Sequence, residues 1–175
     1  MRENTNKNKL QTGDIILFYP TGLISSMIAE LTNSKYSHTG IYYGKLHGKH
    51  LFFDIDWTNS KFTLYENIER NFDVFRYKDE LNRTQKANIQ ASMVKGLNKS
   101  YDYDQLFTSG LKVIFGLELI TNNPNKYLCS ELVDLLYYDI NIDLNVNVMK
   151  GNTTPENLAE TIKTKYICNK SQLIL

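Results

Sequence analysis

A cysteine at the start of an apolar helical pattern, a histidine in a β-prone run and two acids in the next run are the chemically competent set in this chain. The cysteine is Cys129, in "NKYLCSELVDLLYY". A thiol attacks a carbonyl carbon well only as the thiolate, and a helix N-terminus with an imidazole nearby lowers its pKa by several units. Free cysteine is also among the most buried residue types and packs as a small hydrophobe, so the helix by itself leaves both roles open.

Of the three histidines, His38 in "SHTGIYYG" is the best placed base. Strand alternation sends His38, Gly40 and Tyr42 to one face and Thr39, Ile41 and Tyr43 to the other, and Gly40 leaves room beside the imidazole for a substrate. His47 reads as a solvated turn residue and His50 as the exposed start of the following strand. An imidazole base needs a third group to fix its tautomer and orientation. "HLFFDIDW" offers Asp54 and, in reserve, Asp56, which share a parity on the strand after that of His38. If the two strands pair, one carboxylate reaches the ring nitrogen turned away from sulfur. Tyr101 and Tyr103 in "KSYDYDQLF" carry hydroxyls that could serve an oxyanion, and Tyr36 joins Tyr101 and Gly40 as an oxyanion or substrate-binding candidate. With twelve tyrosines in the chain, a buried tyrosine is first of all a core residue with a satisfied hydroxyl.

Positioning these groups requires a sheet and a helix. "GDIILFYP" reads as a strand between the turn glycine Gly13 and Pro20, followed by a short helix with Leu23, Met27, Ile28 and Leu31 at helical spacing. "YSHTGIYYG", "HLFFDIDW", "KFTLYENI" and "FDVFRY" read as strands of a meandering antiparallel sheet. One helix is expected from Thr84 to Leu97, closed by Gly96. Another covers "YLCSELVDLLYYD", where Leu128, Leu132, Leu135 and Leu136 recur at i, i+4, i+7 and i+8. "YDYDQLFTSGLKVIFG" suggests a further helix. "TTPENLAETIKTK" is expected to be helical, capped by Thr154 with Pro155 at the first position, and "SQLIL" to end the chain as a strand or docked tail. The fold class is α+β with a central antiparallel sheet.

A chain of 175 residues fits a single domain, with residues 1–11 expected to be disordered. Its 42% hydrophobic and 22% charged content and net charge of +1 give no bulk pull toward nucleic acid or anionic membrane, so no nucleic-acid partner is expected. Cys129 and Cys168 make neither a disulfide framework nor a zinc-ligand pattern, and no metal or cofactor is expected. With no signal-peptide run and no stretch near the roughly 20 apolar residues of a membrane span, the sequence reads as cytoplasmic. The apolar segment 109–120, "SGLKVIFGLELI", reads as a core helix first and as a weak membrane-surface contact second. Oligomeric state is not legible.

Taken in order along residues 12 to 160, "GDIILF", "SHTGIYYG", an acid in the next strand, "YDY", "YLCSELV" and "TPENLA" resemble the circularly permuted NlpC-type, papain-like cysteine hydrolases. The resemblance is closest to the YiiX-like group and its poxvirus relatives. Ordinary NlpC-type enzymes place the cysteine before the histidine; here His38 comes first. The resemblance implies a papain-like fold in which the helix bearing the nucleophile packs on an antiparallel sheet or half-barrel bearing the base. It implies Cys129 as nucleophile, His38 as base, Asp54 as orienting acid with Asp56 in reserve, and the Tyr101 hydroxyl beside the Cys129 backbone N–H at the oxyanion. Asp14 and Glu131 belong to the same pattern and read as structural. The implied function is a cysteine peptidase or amidase that cleaves a peptide, isopeptide or other acyl substrate through a thioester. The group also resembles lipid-directed acyltransferases and phospholipases, and a catalytically silent binding protein is the other alternative.

Overall fold

The computed structural model describes residues 8–31, 33–55, 59–97, 100–101, 126–127, 129–145 and 153–175. Its elements are β1 (Ile15–Phe18), α1 (Leu23–Leu31), β2 (His38–Leu46), β3 (Lys49–Ile55), β4 (Ser60–Leu64), β5 (Phe72–Tyr77) and α2 (Arg83–Lys95). They continue with β6 (Ser100–Tyr101), β7 (Lys126–Tyr127), α3 (Cys129–Tyr138), α4 (Pro155–Glu160) and β8 (Thr164–Asn169). Six strands form one antiparallel sheet in the order β4-β3-β2-β1-β5-β8, and β6 pairs with β7 separately.

β1 is an unbroken apolar run because both of its faces are covered. Ile15 and Leu17 join the cluster of Ile41, Phe53, Ile89 and Leu136, while Ile16 and Phe18 join Tyr42, Phe52, Phe72 and Val74. α3 packs on β2, β3 and α2. Its apolar repeat buries Leu132, Val133, Leu136 and Tyr137, each large apolar side chain contributing about 1.5–3 kcal/mol when fully buried. The Tyr137 hydroxyl donates to the Gly13 carbonyl oxygen at 2.5 Å, which pins the far end of α3 to the turn that opens β1. Gly13 has a φ of 95°, and a Cβ there would stand 2.7 Å from Leu81 Cδ1, so the turn needs glycine.

The aromatic-rich runs form strands as expected, except that "KFTLYENI" is extended only to Leu64 and turns into a 3-10 helix over Tyr65–Asn67, and α2 starts one residue early, after an Asn82 capping box, with Gly96 at its end. α4 begins after the Thr154 cap as expected but stops at Glu160 instead of running on to Lys165, and Thr164–Asn169 forms the edge strand β8, whose first two residues fall in the expected helix. That segment has too little apolar alternation to announce a strand; pairing with β5 decides it. Residues 8–11 depart from the expected disorder. The Ile174 N–H donates to the Asn8 carbonyl, and Arg76 Nη2 to that of Lys9, so this segment is held and the C-terminal tail docks beside it. α1 forms in its expected place, yet Leu23 and Met27 are 86% and 58% exposed, since no other described element packs extensively against it. No described helix is long and apolar enough to cross a membrane. Segment 109–120, most of the helix suggested from Tyr101 onward, Leu128 and Asp56 lie outside the described residues.

Candidate active site

Cys129 is the first residue of α3 and His38 the first of β2, and their side chains are hydrogen-bonded where the two elements begin. His38 Nε2 lies 3.3 Å from Asp54 Oδ2, which leaves Nδ1 as the ring nitrogen for the sulfur. Asp54 Oδ1 accepts from Thr63 Oγ1 at 3.3 Å, so β4 steadies the acid that β3 carries. Phe18 stacks on the imidazole with ring centroids 5.3 Å apart. Cys129, His38 and Asp54 are all at most 8% exposed.

Strand parity alone would not bring these groups together. His38 lies opposite Phe18 and shares its pleat face with Gly40 and Asp54, whereas Cys129 packs with Ile41 and Phe53 of the other face. They meet because both stand at element ends. The β2–β3 ladder stops at the Gly40–Asp54 pair, and the next backbone group, that of Thr39, hydrogen-bonds the Cys129 sulfur.

Burial pushes the Cys129 thiol up, but the His38 charge, its hydrogen bond and the backbone hydrogen bonds of Thr39 and Ser130 outweigh this and hold it below the ordinary thiol range. For His38, burial acts downward; the Cys129 charge and the Asp54 hydrogen bond reverse it and raise the imidazole to about 9. Both shifts favour the thiolate–imidazolium form of the pair.

The other sequence candidates lie as follows. Gly40 does not open a substrate space: a Cβ there would stand 3.3 Å from Asp54 Cβ, 3.3 Å from the Phe53 carbonyl oxygen and 3.4 Å from Phe18 Cε2. Its small size admits the acid and the ring instead. Tyr36 does not offer its hydroxyl to the sulfur, because that group donates to Asp73 Oδ2 at 2.8 Å, where Tyr19 also donates at 2.8 Å. Tyr36 thus ties the loop before His38 to β5. The Tyr101 backbone pairs with Tyr127, two residues before Cys129, so a residue distant in sequence is brought to the start of α3. His47 is exposed in its turn as expected, whereas His50 is half-buried, with Nδ1 2.8 Å from the Tyr42 hydroxyl. Asp14 is buried and bound by Arg76 Nε and Nη2 at 2.7 and 2.8 Å and by the Gln11 N–H at 2.7 Å, a structural clamp. Glu131 is buried in the first turn of α3. Sequence reasoning missed Phe18, which reads as plain core, and Thr63, whose reach to Asp54 depends on the β3–β4 register.

A base carried on a sheet, with a thiol on the helix packed against it, defines the papain-like class of cysteine hydrolases. The order along this chain, with His38 and Asp54 ahead of Cys129, is the permuted one. A family model described as permuted papain-like amidase enzyme, YaeF/YiiX, C92 family, matches residues 9–170, and the chain belongs to that family. The fold is also similar to the crystal structure of the metalloprotein yiiX from Escherichia coli O157:H7, with a TM-score of 0.71 and 18% identity, covering 91% of this chain and 97% of that one. A search among curated proteins gives no match. Among the described residues of this chain, no group of three or more His, Cys, Asp or Glu is placed to hold a metal ion.

Proposed function

We propose that this member of the amidase family hydrolyses an amide bond with Cys129 as nucleophile, His38 as acid and base, and Asp54 as the group that orients the imidazole. The observation that carries the reading is the hydrogen-bonded series Cys129, His38, Asp54 at the shared start of α3 and β2. The thiolate attacks the carbonyl carbon, a C–S bond forms, and the carbonyl electron pair moves onto oxygen. The Cys129 backbone N–H, at the positive end of α3, receives that charge. His38 protonates the amide nitrogen, the C–N bond breaks, and the amine leaves a thioester behind. Water gives a proton to His38 and attacks the thioester, and the C–S bond breaks to restore the thiolate. The balance is amide plus water to carboxylic acid plus amine.

Mass spectrometry of the protein after exposure to a panel of acyl donors tests this. The expected result is a thioester on Cys129 that is lost in Cys129→Ala and forms more slowly in His38→Ala. An unmodified Cys129, or amide hydrolysis undiminished in Cys129→Ala, would contradict it.

A further inference from the structure

Thr39 carries a hydroxyl with no hydrogen-bond partner among the described residues, at a position that is 1% exposed. Its register opposite Leu17 puts its side chain on the sheet face of Ile41, Phe53 and Cys129. Ser130 donates its hydroxyl to the Thr153 carbonyl, while the Ser37 hydroxyl, two residues before Thr39 and also buried, likewise has no partner among the described residues. A buried hydroxyl left unpaired is costly, and native structures pair nearly all such groups. Valine has almost the same shape, is at home in strands and carries no such cost. Packing alone would therefore favour valine at position 39, and the hydroxyl calls for a partner that arrives with the substrate.

Resting on the cysteine-hydrolase reading above, we propose that Thr39 is a specificity-determining residue whose hydroxyl hydrogen-bonds a polar atom of the acyl group carried on Cys129, so that peptide-like acyl groups are selected over plain alkyl chains. An internal amide in the acyl chain pairs the hydroxyl, whereas an alkyl chain covers it and leaves it unpaired. Sites built around a buried hydrogen-bonding group reject analogues that cannot pair with it far more strongly than analogues that differ by a methylene.

The test uses the N-acetylglycyl and pentanoyl esters of p-nitrophenol, whose acyl chains have equal length and differ in an internal amide. Acylation rates at Cys129 are compared for the wild type, Thr39→Val and Thr39→Ser, and the ratio of variant to wild type cancels the intrinsic reactivity of each ester. Thr39→Val is expected to lose about tenfold of the preference for the acetylglycyl ester, the effect of one hydrogen bond, and Thr39→Ser to retain it. Thr39→Val is also expected to melt at or above the wild-type midpoint, because it removes an unpaired buried group. Equal loss on both esters, an unchanged preference, or a lowered melting midpoint overturns the proposal while Cys129 acylation, and with it the hydrolase reading, stands. No acylation of Cys129 by either ester overturns the hydrolase reading and the proposal together.

Discussion

Asp54 divides its two oxygens between partners: Oδ2 lies 3.3 Å from His38 Nε2, and Oδ1 accepts from Thr63 at 3.3 Å. The acid is thereby held by β4 while it holds the ring on β2. Removing the carboxylate frees the imidazole to turn away from sulfur and takes away part of what raises its pKa. Asp54→Ala is expected to lower amidase kcat by about 10²-fold, with a smaller change in KM. Steady-state kinetics check this, and a wild-type kcat in Asp54→Ala would show that another group orients the base.

The imidazole itself should report its neighbours. His38 is raised to about 9 against the downward pull of burial, chiefly by the Cys129 charge and the Asp54 hydrogen bond. In Cys129→Ala the largest upward contribution is gone and the burial effect stays, so the His38 pKa is expected to fall. A titration followed by NMR of the ring protons reads the shift. A value unchanged between the two proteins would mean that the thiolate does not face the ring.

Gly40→Ala tests the close approach of β3. The added methyl would stand 3.3 Å from Asp54 Cβ and 3.3 Å from the Phe53 carbonyl oxygen, a contact tight enough to push the acid away from an already long bond to His38. Activity is expected to drop several-fold at a stability cost of about 1–3 kcal/mol, the usual range for overpacking. Denaturant melts and kcat measured on the same preparation separate the two effects.

Tyr36→Phe makes the opposite point. The hydroxyl donates to Asp73, not toward the sulfur, so its loss is expected to cost about 1 kcal/mol of stability. The rate of Cys129 alkylation should stay at its wild-type value, and a large fall would return Tyr36 to the chemistry.

Much of the site was legible from residue order, because His38, Asp54 and Cys129 each sit on an element whose pattern is plain: alternation for two strands and a leucine repeat for the helix. What the patterns could not carry is how neighbours across the chain use a residue. Gly40 reads as open space from one strand, but the next strand fills that space with Asp54. Tyr36 reads as a donor near the base until β5 brings Asp73 to it. Thr63 has no signal of its own, since a threonine on a half-buried strand is ordinary until the register gives it a carboxylate. β8 was hidden for the same reason, as an edge strand is decided by its partner more than by its own composition.

The most direct test of the central claim, that His38 holds Cys129 as a thiolate, is the rate of iodoacetamide alkylation at Cys129, located by mass spectrometry, as a function of pH. A lowered thiol pKa beside a raised imidazole gives an ion pair that forms below the ordinary thiol value of about 8.5 and persists until the imidazolium deprotonates near 9. The account predicts alkylation that stays fast as pH falls below about 8.5, and loss of that low-pH reactivity in His38→Ala, where burial is no longer opposed by the imidazolium. A Cys129 that reacts only above about 8.5, or that alkylates identically with and without His38, would contradict it.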